Sequence, residues 1–180
     1  MKIREEEPSL NKTFADLYEE YLPRVFRYLK CRINDVATAE DLTSSVFEKA
    51  VNNFAKYNRD KATFSTWIFT IARNTLTDYY RVESGKKKQA VSLEEAEERP
   101  ANIPSPPEEL ERKELAEKLN HCVAQLSPEE QEIIHLRFEA ELTNREIARM
   151  LGFSESNVGV KLYRAIRKMR DTFQRLEYVS

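Results

Sequence analysis

Glycine is scarce, with only 3 in 180 residues. That disfavours a loop-rich all-β fold and any phosphate loop built on repeated glycines. Cysteine is as sparse. Cys31 and Cys122 lie far apart in the sequence, and His121 and His135 are the only histidines. Such a set cannot form a disulfide framework and has no zinc-ligand spacing. A reducing cytoplasm is the default compartment, and both thiols are expected to be buried structural groups. No apolar run approaches the roughly 18 residues of a membrane-spanning helix. The start, Met1-Lys2-Ile3-Arg4-Glu5-Glu6-Glu7, lacks the apolar centre of a secretory signal. The two histidines sit in helical, apolar surroundings, and their spacing suggests no nucleophile–base pair. No enzyme, metal or cofactor is expected.

What the chain has is charge, at 33% of residues, against 41% hydrophobic. The net charge of -2 conceals an asymmetry. Residues 12–90 hold 14 basic and 10 acidic groups, and residues 118–180 hold 10 and 9. Between them, residues 91–117 hold 3 basic and 9 acidic groups. An acidic segment thus separates two segments that lean basic. Residues 86–107 read as a linker. They run from lysines through Glu94-Glu95-Ala96-Glu97-Glu98 to Pro100, Pro104, Pro106 and Pro107. Little apolar surface is available there to order the chain. Ser92 and Glu95 fit a capping box, which would start a short helix.

The flanking halves read as helices. Phe14, Leu17, Tyr18, Tyr21 and Leu22 recur at three-to-four spacing, followed by Val25, Phe26 and Leu29, with Pro23 as a kink or break. Residues 37–54 repeat the pattern, and a third helix spans about 63–82. In the second half, Ser105-Pro106-Pro107-Glu108 starts a helix to about 125. Ser127-Pro128-Glu129-Glu130 and Thr143-Asn144-Arg145-Glu146 are capping boxes. Gly152 suits the positive φ of a tight turn, and Ser154 caps a last helix over 155–174. Thr143 to Arg170 therefore has the form of a helix-turn-helix. Its last helix buries Val158, Leu162, Ala165, Ile166 and Met169. Between 156 and 170 it carries Lys161, Arg164, Arg167, Lys168 and Arg170 and no acid. Cations so placed favour phosphates, and the first turn, with Ser156 and Asn157, then Val160 and Lys161, points at base edges. A solvated charged helix in a bundle is the plainer alternative.

The third helix is the other informative stretch. Phe64, Ile68, Ala72, Thr75, Leu76 and Tyr79 form an inward face. Trp67, Thr70, Asn74, Asp78 and Arg81 fall on a neighbouring stripe. Asparagine and aspartate lower helix propensity in mid-helix, so they point to a task there. An asparagine amide pairs with a base edge, and aromatics stack on unpaired bases. Arg73, Arg81 and Lys86-Lys87-Lys88 supply phosphate attraction. A single tryptophan such as Trp67 is, taken alone, more often a core residue.

Together these residues resemble the extracytoplasmic-function (ECF) class of bacterial RNA polymerase sigma factors. Ala39-Glu40-Asp41-Leu42 through Phe47-Glu48-Lys49-Ala50 is similar to the helix that docks on the polymerase clamp. Phe64 to Asn74, with Asp78-Tyr79-Tyr80-Arg81, is similar to the segment that opens and reads the -10 element. Leu126-Ser127-Pro128 through Arg170 is similar to the domain that reads the -35 element. The resemblance implies an all-α chain of two small domains. A region 2-like bundle over 12–85 and a region 4-like helix-turn-helix domain over 108–175 flank an acidic, flexible linker, 86–107. It implies core-polymerase contacts at Asp41, Leu42, Ser44, Ser45, Phe47 and Glu48. It places Trp67, Arg73, Asn74, Asp78 and Arg81 at the -10 strand, with Asn74 receiving an extruded base. It places Ser156, Asn157, Val160, Lys161, Tyr163, Arg164 and Lys168 at the -35 duplex. The linker would cross the polymerase core, where its acids either mimic nucleic acid or merely space the domains.

Two departures qualify the pattern. Ser44-Ser45 stands where the family usually has Gln-Glu, so some polar clamp contacts are weakened or replaced. Gly159-Val160-Lys161 replaces a common basic-Ser-Arg run, so the -35 sequence is not that of better-known relatives. Implied partners are core RNA polymerase (clamp and channel), promoter DNA and an anti-sigma factor, in this family commonly a membrane protein. No small-molecule substrate is implied, and the free chain is expected to be a monomer. Two alternatives remain at this stage: a stand-alone helix-turn-helix regulator, and a sigma mimic that titrates an anti-sigma factor.

Overall fold

Short polar residues set where the helices start. The structure, a computed structural model, describes residues 12–33, 35–89 and 107–179. Among these it forms helices α1 (Phe14–Lys30), α2 (Val36–Asn53), α3 (Phe64–Gln89), α4 (Pro107–Ala124), α5 (Pro128–Phe138), α6 (Asn144–Leu151) and α7 (Glu155–Val179), with a 3₁₀ turn at Phe54–Lys56. No strand occurs among the described residues. The expectation of an all-helical chain is met. The possible helix after Ser92 lies outside the described residues.

The caps read at Ser127 and Thr143 form, and two further caps stand at the starts of α1 and α2. The Thr13 hydroxyl accepts from Asp16 N–H while Asp16 accepts from Thr13 N–H, closing a capping box on α1. Asp35 caps α2 by accepting from Thr38 N–H at 2.7 Å. Ser127 and Glu130 exchange the same pair of bonds at α5, and Thr143 and Glu146 at α6. α1 runs unbroken past Pro23. A proline inside a helix costs about 3 kcal/mol. Val25, Tyr28 and Leu29, all fully buried beyond it, recover about 1.5–3 kcal/mol each by leaving water. Burial therefore holds the helix together. α3 also outlasts the expected end near 82 and continues through Gly85 to Gln89.

The chain divides into two compact units, with the boundary after Tyr79 and with Phe138–Leu142 grouped with the first. The first is built on α1, α2 and the N-terminal part of α3. Tyr28 meets Phe69 edge-on at 5.6 Å, and Tyr21 meets Phe64 at 5.0 Å. From α2, Ala39, Val46 and Ala50 are fully buried between them. In the second unit, Leu126, Ile134 and Ala165 form a core against which Val123, Leu162 and Met169 pack. Gly152 ends α6 at φ 74° and ψ 28°, the left-handed geometry that the turn needs. Ser154 then caps α7 by accepting from Asn157 N–H at 3.2 Å.

Candidate nucleic-acid interface

A cleft of about 460 Å3 opens on the first unit, between α3 and the end of α2. Trp67, Asn74 and Asp78 line it from α3. Their spacing along one helical stripe brings them together as expected. Arg73 and Arg81 are exposed on α3 and do not line this cleft. The opposite wall was not anticipated: Lys49, Asn53 and Lys56 come from α2 and its 3₁₀ extension. Lys49 Nζ donates to Thr75 Oγ1 at 3.0 Å, and Asn53 Nδ2 donates to the Lys49 carbonyl at 2.8 Å. These bonds orient both side chains at the rim. Spacing inside one helix cannot find residues on another, so only their shared α2 stripe (49, 53, then 56) hinted at them.

Trp67 packs among core aromatics and also lines the cleft. Its ring is half-buried, lying 5.0 Å from Tyr57, 5.5 Å from Phe64 and 6.4 Å from Phe54. That packing fixes its orientation, and its remaining surface faces the cleft. A rigid aromatic, an amide with donor and acceptor, and two ammonium groups thus surround one concavity.

On α2, Asp41, Ser44 and Glu48 are exposed, and Leu42 and Ser45 are half-buried. Phe47 is a correction, because only 5% of it is exposed and its ring meets Tyr18 edge-on at 4.7 Å. It shapes the helix surface from below and offers no docking side chain. Ser44 donates to the Glu40 carbonyl at 3.0 Å. With Leu22, Pro23, Phe26 and Glu40 it lines a shallow groove of about 360 Å3 between α1 and α2.

On α7, Ser156, Asn157, Val160, Tyr163, Arg164 and Lys168 are exposed, whereas Lys161 is half-buried. Tyr163 is 69% exposed. Ile166, expected inward, is 44% exposed. At about 100° per residue it falls off the edge of the stripe made by Val158, Leu162, Ala165 and Met169. Opposite that stripe lie Ser156, Val160, Tyr163 and Arg167. Arg167, which the family resemblance does not place at the -35 duplex, is exposed on this side. Lys161 Nζ lies 2.6 Å from Glu129 Oε1, and Lys168 Nζ donates to both Glu130 oxygens at 2.7 and 2.9 Å.

The cysteines differ from one another. Cys122 is buried, and burial pushes its thiol above the ordinary range. Cys31, also expected to be buried, is exposed just past the end of α1, where the last turn leaves the core. No group of three or more His, Cys, Asp or Glu side chains able to hold a metal occurs among the described residues.

Comparison with known proteins identifies both halves. Residues 17–85 match the model for sigma-70 region 2, and residues 116–169 match that for sigma-70 region 4. The chain is 33% identical over 153 residues to the RNA polymerase sigma factor YlaC of Bacillus subtilis, covering 85% of this chain and 87% of that one. It is 32% identical over 164 residues to the ECF RNA polymerase sigma factor BldN of Streptomyces coelicolor, covering 87% of this chain but 58% of the relative. The fold is similar to that of the sigma factor RpoE of Bartonella quintana, solved with the anti-sigma factor NepR. There the TM-score is 0.67 at 18% identity, over 89% of this chain and 96% of that one. Two sigma-70 regions in this order, and a relative matched along most of its length, settle the family. The chain belongs to the ECF class of bacterial RNA polymerase sigma factors.

Proposed function

We propose that this sigma factor docks on core RNA polymerase through the exposed face of α2, around Asp41, Leu42, Ser44, Ser45 and Glu48. It then reads the -10 element in the α3 cleft and the -35 element with α7. It is a transcription-initiation subunit and not an enzyme; nucleotide addition belongs to the polymerase. The working division is a first domain over 12–85, a linker over 86–107 and a helix-turn-helix domain over 108–175. No helix among the described residues is long and apolar enough to cross a membrane. A cytoplasmic location is part of this proposal, because the polymerase it would serve works there. An anti-sigma factor is proposed as its regulator, as NepR partners the RpoE that it resembles.

The observation that carries this reading is the cleft that joins Trp67 and Asn74 to Lys49 and Lys56. Extruding a base from a duplex costs a few kcal/mol. Stacking on Trp67, the Asn74 amide and strand phosphates held by the lysines offset that cost. Titrating the labelled protein with core polymerase tests the docking step. Fluorescence of a base analogue at the -10 position then tests opening. Tight one-to-one binding followed by a fluorescence rise is expected. If the chain fails to bind core polymerase yet binds DNA specifically by itself, the stand-alone regulator replaces this reading.

A further inference from the structure

The basic residues of α7 do not all face the same way. Ser156, Val160, Tyr163 and Arg167 recur at i, i+4, i+7 and i+11 on the side opposite the buried Val158, Ala165 and Thr172. Lys161 and Lys168, seven residues or two turns apart, lie on a flank that meets the first turn of α5. There the adjacent Glu129 and Glu130 receive them. Lys161, with 28% of its side chain exposed, is held between Glu129 at 2.6 Å and the Phe153 ring, whose centroid is 5.3 Å away. Glu130, only 12% exposed, accepts Lys168 on both oxygens and the Ser127 N–H at 3.0 Å. One carboxylate thus closes a helix cap and an ion pair at once.

We infer that Glu129 and Glu130 are positioning residues for the -35-reading helix, acting through Lys161 and Lys168, which tie α7 to α5 rather than contact DNA phosphate. Two attachment points two turns apart set both the tilt and the rotation of α7, whereas one would leave it free to pivot. The phosphate contacts then fall to Arg164 and Arg167, beside or on the outward stripe. The inference rests on the proposed role of α7.

The test uses holoenzyme made with the full chain and measures promoter affinity across a salt series, with the -35 element intact or scrambled. Each phosphate contact contributes about 0.9 to the slope of log affinity against log salt. Lys161→Gln and Glu129→Gln are each expected to lower discrimination for the intact -35 element about two- to fivefold while leaving the slope unchanged. The charge exchange Glu129→Lys with Lys161→Glu should restore discrimination, which shows that any loss is not misfolding. Arg167→Ala should reduce the slope by about 0.9. A slope reduced by that amount in Lys161→Gln, or tighter binding in Glu129→Gln, overturns the inference and makes the lysine a phosphate contact. If neither scrambling the -35 element nor Arg167→Ala changes affinity, the role of α7 itself fails, and the inference with it.

Discussion

At the residue scale, two glycines of the helix-turn-helix do opposite things. Gly152 sits at φ 74°, and a Cβ there would meet nothing within 4 Å. Its constraint is purely torsional, since an L-residue in the left-handed region costs about 1–2 kcal/mol. Gly152→Ala should therefore lower stability by about that amount in a denaturant titration. Gly159 is in ordinary helical geometry, and an added Cβ would meet Asn144 Nδ2 at 3.8 Å, a normal contact. Gly159→Ala should raise stability by about 1 kcal/mol, the helix-propensity difference. The same experiment on both variants compares torsional cost with propensity at neighbouring sites. In the first unit, Asn74→Ala should keep core-polymerase binding but slow promoter opening about 5- to 100-fold, the worth of one bidentate base contact. Opening at the wild-type rate would remove Asn74 from the -10 site.

At the element scale, α5 draws its start from Ser127, Glu130 and Lys168 together. The Lys168 ammonium, and to a lesser extent the Ser127 N–H and hydroxyl, hold the Glu130 carboxyl below its ordinary value. A carboxyl depressed in the folded state stabilises the fold above its unfolded value. That contribution is lost as pH falls through the folded value. Melting temperature should thus decline on acidification below the ordinary carboxylate range, and Glu130→Gln should flatten that decline. An unchanged acid limb would show that the pair adds nothing to stability. α1 makes a different point. Pro23 lies exposed on a helix held by buried side chains on either side of it. Pro23→Ala should raise stability by about 1–3 kcal/mol, since it restores a backbone bond and removes no buried contact.

At the scale of the whole molecule, charge is segregated along the chain more than it is abundant. The free protein carries -2 overall, with its acids concentrated in 91–117. Those acids oppose the approach of DNA to the basic segments on either side. Replacing Glu94, Glu95, Glu97 and Glu98 by Gln should strengthen binding of the free protein to non-specific DNA at low salt. The gain should vanish as the screening length shrinks from about 30 Å at 0.01 M to about 8 Å at 0.15 M. Fluorescence anisotropy with a random duplex reads both limits. A gain that persists at high salt would mean that the segment acts by something other than its charge.

The sequence by itself determined where α5, α6 and α7 begin, the left-handed turn at Gly152, and which face of α3 turns inward. Each of these rests on a hydrogen bond or torsion spanning a few residues, so the spacing of residue types records it. It also held the two sigma-70 regions, because their motifs run along single helices. Packing between helices decided the rest. The α2 wall of the cleft was out of view because Lys49 and Thr75 meet across 26 positions of chain. Phe47 turned inward because Tyr18 of α1 covers it. Lys161 and Lys168 looked like DNA contacts while only their charge was known. The carboxylates that hold them stand on α5, and no periodicity within α7 reveals a partner on another helix.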